Sequence, residues 1–140
     1  MLRDRIETLY LESDFNCAES ILLAANAEYQ LGLTPQDVKL VSGFGGGMGC
    51  GSTCGALTGG VAALGSLLVQ QRAHATEGFK EACAGWVEAF TASLGSERCD
   101  VLKEKYANTD RRCLDAVLVA ADTLEAYLRE NGYTRPGEND

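Results

Sequence analysis

The stretch FGGGMGCGSTCGALTGG, residues 44–60, constrains this chain more than any other, because it packs eight glycines and two cysteines into seventeen residues. Backbone that bare must either turn sharply or lie against other backbone. Glycine loops that lead into a helix often hold phosphate, since free N–H groups there attract anions. The residues argue against it here. A Walker-type loop needs a lysine and a hydroxyl residue after its last glycine, and the run contains no lysine. No frame of it reads G-x-G-x-x-G, and Thr34 to Val41 ahead of it reads as a short helix rather than a strand.

Past the loop, Thr53 to Gln71 reads as a helix with Ser52 as its cap, apolar almost all round from Ala56 to Val69. Such a helix is buried. Its fourteen-residue apolar run includes Thr58 and Ser66 and falls short of the ~20 that span a bilayer, so no membrane insertion is expected. Gly55, Gly59 and Ala63 recur at every fourth residue, as do Ala56 and Gly60, leaving two adjacent stripes almost without side chain. A glycine in a helix interior costs about 1 kcal/mol relative to alanine, so the four between Gly55 and Gly65 cost roughly 4 kcal/mol together. Something must offset that. Close approach of a second helix would do so, and the same flat surface beside Cys54 leaves room for a substrate, a cluster or a partner thiol.

Helical spacing runs through the rest of the chain. Leu2, Ile6, Leu9 and Tyr10 share a face, SDFN breaks it, and Cys17 to Leu31 resumes it. The stretch LTPQD is a start signal, with Thr34 as cap, Pro35 at the first helical position and Asp37 in the first turn. Further helices are expected over Thr76 to Leu94, Glu97 to Tyr106 and Asp110 to Glu130. With no linker or repeat, the chain reads as one all-α domain over residues 1–140. That domain is a bundle of about five to six helices around the central Gly/Ala-rich one, with residues 1–2 and 134–140 frayed.

At 140 residues and 46% hydrophobic, such a domain holds a core that stands without covalent staples. Its six cysteines are therefore free for chemistry. The N-terminus MLRDRIETLY has no apolar signal core, which points to a cytoplasmic address where thiols stay reduced. A net charge of −8 argues against nucleic acid as a partner. Cys54 stands in the first turn of the glycine-rich helix, where the dipole and free N–H groups would lower a thiol pKa, so it is the first nucleophile candidate.

NCAES around Cys17, STCGALTGG around Cys54, LGSERCDVL around Cys99 and RRCLDAV around Cys113 together resemble the C_GCAxxG_C_C family of redox-active proteins. The resemblance covers nearly the whole chain. It implies a redox role and marks Cys17, Cys54, Cys99 and Cys113 as the site, with Cys50 and Cys83 outside the pattern.

Four thiols arriving from four helices admit two chemistries. In the first, pairs cycle between dithiol and disulfide as in a thiol–disulfide oxidoreductase, with Cys54 attacking, another of the four resolving, and a redox partner protein or small thiol as the counterpart. In the second, Cys17, Cys54, Cys99 and Cys113 ligate a [2Fe–2S] cluster or zinc, with backbone N–H groups of Gly49, Gly51 and Gly55 tuning it. Zinc is the weaker version, because the only C-x₂₋₄-C pair is Cys50 with Cys54. A third class is a homodimer or accessory protein whose glycine-rich surface is an interface. His74, the single histidine, is too thin a basis for a Cys–His hydrolase. Trp86, Phe79 and Phe90 fall at helical spacing and read as core, and Arg98, Arg111 and Arg112 read as surface charge beside Cys99 and Cys113.

Overall fold

The computed structural model describes residues 1–138, and among them it holds seven α-helices and no strand. Helix α1 (Arg3–Glu7) runs on into a π-helical turn, Thr8–Glu12. Helix α2 is Cys17–Tyr29, and α3 is Pro35–Val38, continued by a 3-10 stretch, Lys39–Phe44. Then come α4 (Gly55–Leu68), α5 (Phe79–Leu94), α6 (Cys99–Tyr106) and α7 (Leu114–Glu130). No helix among these residues is long and apolar enough to cross a membrane.

Helix α4 is the centre of a single all-α domain, with α2, α5 and α7 packed around it. Its glycine stripes are where the neighbours come closest. A Cβ on Gly59 would stand 2.7 Å from the Ala18 carbonyl oxygen and 2.9 Å from Ala18 Cα, so α2 crosses backbone to backbone there. A Cβ on Gly60 would lie 2.6 Å from the Trp86 indole, which fills the second stripe from α5. Trp86 is fully buried and donates its Nε1–H to the Leu57 carbonyl at 3.0 Å. Phe90 meets its ring edge-on at 5.7 Å, and Phe79 packs at the rim of the same core. The helix-on-helix account of the glycines therefore holds, and burial of these contacts is what offsets their intrinsic cost.

Several helix starts differ from those expected, each for a backbone reason. Thr53 is extended and bridges Arg98 in antiparallel fashion, so α4 begins at Gly55 with Cys54 as its cap, rather than at Thr53 capped by Ser52. Gly78 sits at φ 77, which delays α5 from Thr76 to Phe79. A tight turn joins Asn108 to Arg112, whose φ is 53, and α7 starts only at Leu114. Thr34 caps α3 as expected, accepting from Asp37 N–H while the Asp37 carboxylate accepts from Thr34 N–H.

Near both ends of the chain, described residues expected to be frayed make contacts with the bundle. Leu2 is buried, and its N–H donates to Glu125 Oε1 at 2.9 Å. The N-terminal ammonium pairs with Glu28 at 2.7 Å. Arg135 closes the tail by pairing with Glu28, Glu125 and Glu138. A buried carboxylate such as Glu125 needs donors, and both ends of the chain supply them. Asn139 and Asp140, part of that same reading, lie outside the described residues.

Candidate functional site

Each of the four motif cysteines stands at the start of a different helix: Cys17 opens α2, Cys54 caps α4, Cys99 opens α6 and Cys113 caps α7. Local chemistry sets these starts. Asn16 forms a capping box with Glu19, its side chain accepting from Glu19 N–H at 2.9 Å while Glu19 Oε1 accepts from Asn16 N–H at 3.0 Å. Such a cap contributes about 1 kcal/mol. It makes Cys17 the first helical residue. Cys54 and Cys99 are locked side by side by a two-rung ribbon, in which Cys54 N–H donates to Glu97 O at 2.8 Å and Cys99 N–H donates to Ser52 O at 2.6 Å.

The glycine run closes over this ribbon. Gly46, Gly47, Met48 and Gly49 take consecutive left-handed conformations, with φ from 60 to 76. Only glycine adopts that region freely, so the exposed Met48 is the one residue there that bears the steric cost. A Cβ on Gly47 would come within 2.6 Å of Cys99 Cβ and 2.5 Å of Ser52 N. The loop thus presses its backbone onto α6. At Gly55 the neighbour is the Cys17 sulfur itself, which occupies the space a side chain would need. Of the three glycines considered as backbone donors, Gly55 borders a thiol, whereas Gly49 faces open space and Gly51 faces Asp100.

All six cysteines are free thiols. Burial pushes the Cys54 thiol up to about 12, and negative charge at Cys17 and Cys99 acts in the same sense. The N–H groups of Ala56 and Leu57 pull the other way but lose. The lowered pKa expected for Cys54 is therefore reversed, because removal from water outweighs the helix dipole. Cys17 is also raised by burial, which the N–H groups of Gly46 and Ala18 ease and to which charge on Cys99 adds. Cys113 is raised by burial first and then by Cys99 and Cys17, while Lys103 and Arg112 act to lower it. Charge on Cys17 and Cys99 thus acts on both Cys54 and Cys113.

Cys50 and Cys83 stand apart from this group. Cys50 is exposed on the glycine loop, where its Sγ donates to Gly47 O at 3.5 Å, and Cys83 lies on α5, where its charge bears on Tyr127. His74 is exposed on a 3-10 turn, Ala73–Ala75. Arg98 and Arg111 pair with Asp100 and Asp115 at the surface, but Arg112 does more than that. Its guanidinium covers the Tyr10 ring at 4.4 Å and donates to the Tyr10 carbonyl. Tyr10, read from its spacing only as part of a helix face, and Asn16 are residues beside the motif cysteines that the sequence did not assign to the site.

Among the described residues, no three Cys, His, Asp or Glu side chains are grouped so as to hold a metal ion. Cys17, Cys54, Cys99 and Cys113 thus offer the donor chemistry of a [2Fe–2S] or zinc centre without its placement.

Fold and site together define an all-α protein with four cysteines at the starts of four helices. Residues 15–127 match the family described as "Putative redox-active protein (C_GCAxxG_C_C)", and the chain belongs to it. No curated protein and no solved structure was found to match the chain.

Proposed function

We propose that the cluster works by dithiol–disulfide exchange with a redox partner protein or a small disulfide. The observation that carries this reading is that the four motif cysteines open or cap four helices, with Cys54 and Cys99 held by one two-rung ribbon and the Cys17 sulfur seated against Gly55. Cys113 is the entry point. It is half-buried; burial, then charge on Cys99 and Cys17, raises its pKa, and Lys103 and Arg112 offset part of that. That thiolate attacks a partner disulfide R–S–S–R′, forming Cys113–S–S–R and expelling R′S⁻. Cys99 then gives up its proton, attacks the Cys113 sulfur and expels RS⁻. Two electrons pass from the protein dithiol to the partner, and the two thiol protons end on RSH and R′SH. Cys54 and Cys17 form the inner pair, able to exchange with the outer one.

Mild oxidation of the full chain with glutathione disulfide, followed by peptide mapping, tests this. A bond between Cys99 and Cys113 is expected, reversed by dithiothreitol with no loss of helical signal. Modification confined to Cys50 and Cys83 would overturn the reading.

The raised Cys54 pKa makes a separate expectation with a definite sign. The buried neutral thiol contributes stability that is fully present below the ordinary cysteine value of ~8.5 and lost as pH rises toward about 12. Urea midpoints should therefore fall with alkalinity more steeply in the parent chain than in Cys54→Ala. Parallel pH curves would show that Cys54 ionises as freely in the folded protein as in the unfolded one.

A further inference from the structure

We propose that residues 45–51 form a removable cover over Cys99 and that Asn16 is the positioning residue that latches it, a role that rests on the exchange reading, in which Cys99 is the resolving thiol. Cys99 is 9% exposed, and the loop lies on it with bare backbone, since a Cβ on Gly47 would stand 2.6 Å from Cys99 Cβ. Gly46 N–H lies against the Cys17 sulfur. A segment is held down mainly by the apolar side chains it buries, and one that buries none opens locally at low cost. This loop is of the second kind. Five of its seven residues are glycine, and the two side chains it carries, Met48 and Cys50, are exposed. Ser52 N–H and the Cys50 thiol both donate to Gly47 O, bonds that fold the loop upon itself and not onto α6.

The fold grips the loop at its two ends. At the far end Cys99 N–H donates to Ser52 O, in the ribbon that also fixes Cys54. At the near end the grip is Asn16, whose amide works in both directions. Its Oδ1 accepts from Glu19 N–H and starts α2, while its Nδ2 donates to Ser42 O at 2.9 Å, just ahead of the loop. Gly45 then crosses the same side chain so closely that a Cβ there would lie 2.5 Å from Asn16 Nδ2 and 2.8 Å from Asn16 Cβ. The residue that sets the helix start at Cys17 thus also seats the loop. With the loop down, Cys99 is shielded from thiol reagents in bulk water, while the half-buried Cys113 stays open to a partner disulfide. The cover therefore reserves the resolving thiol for the internal step.

Asn16→Ser keeps a good helix cap but has no amide to reach Ser42 O. Gly45→Ala acts from the loop side. Gly45 has an ordinary φ of −63, so the new methyl strains nothing in its own backbone and pushes against the Asn16 amide. Initial rates of iodoacetamide labelling of the reduced full chain, read peptide by peptide at one fixed pH and at urea concentrations below the unfolding transition, follow the cover. In the parent chain Cys99 should react slowly and with little urea dependence, as a local opening does. In each variant it should react about fivefold faster at the same shallow slope, while the exposed Cys50 keeps its rate. The proposal is overturned if Cys99 reacts at the parent's rate in both variants, or if its labelling carries the full urea dependence of global unfolding. That second result is what a merely structural part for Asn16 would give. Labelling uses no disulfide, so its failure leaves the exchange reading standing; that reading fails instead if the unmodified chain forms no disulfide among its four motif cysteines.

Discussion

Replacing Trp86 with alanine is expected to destabilise the protein by about 3–5 kcal/mol. The indole is fully buried, lies across the Gly60 stripe of α4 and touches Phe90 and Tyr127. No nearby residue can refill its volume. The surface that receives it is glycine, and Gly60 has no side chain to move into the void. Loss of the bond from Nε1 to the Leu57 carbonyl adds to the cost, although that carbonyl remains inside a helix and keeps a second partner. Urea unfolding followed by far-UV dichroism measures the change. A loss under about 1 kcal/mol would mean that α5 collapses onto α4 without the ring, and the central place given to this contact would be wrong.

Gly59→Val should be nearly as damaging, at about 3 kcal/mol. Even the first carbon of the new side chain would stand within 3 Å of the Ala18 carbonyl oxygen and Cα, which are backbone atoms that no rotamer change can clear. Helix α2 would have to move off α4. The Cys17 sulfur, seated against Gly55 one turn earlier, would move with it. Oxidation of the cluster is therefore expected to change together with stability. Gly65 supplies the contrast in the same helix. A Cβ there meets only Phe79 Cζ at 4.0 Å, so Gly65→Ala should be stabilising by roughly 0.5–1 kcal/mol through helix propensity alone. If Gly59→Val and Gly65→Ala proved equal in chemical denaturation, glycine in α4 would have to be read as a propensity effect and not as a contact surface.

These two glycines show how much was legible beforehand. The four-residue recurrence of Gly55, Gly59 and Ala63 announces a close helix crossing, because nothing else offsets the cost of glycine in an apolar helix. Which helix crosses is not written there. The capping box of Asn16 and Glu19 is an Asn-x-x-Glu pattern that sits in plain view in NCAES, and it accounts for the start of α2 at Cys17. Helix starts fixed by long-range pairing were not legible. Residues 53 and 98 are far apart in the chain, and only their bridge pulls Thr53 and Cys54 out of the helix that their neighbours favour.

The sequence by itself determined an all-α domain and a buried central helix with bare stripes. These follow from local rules, since period, cap residues and motif spacing are properties of neighbouring residues. Tertiary structure alone decided the character of the thiols. A helix start lowers a cysteine pKa by a local field, and on that ground Cys54 looked like the reactive one. Burial acts over the whole surrounding shell, and at Cys54 it overrides the dipole and pushes the thiol up to about 12. The same holds for Tyr10. Its helical spacing is that of an ordinary core residue, and only the π-turn and the cap of α7, brought together from opposite ends of the chain, set its hydroxyl beside Cys113.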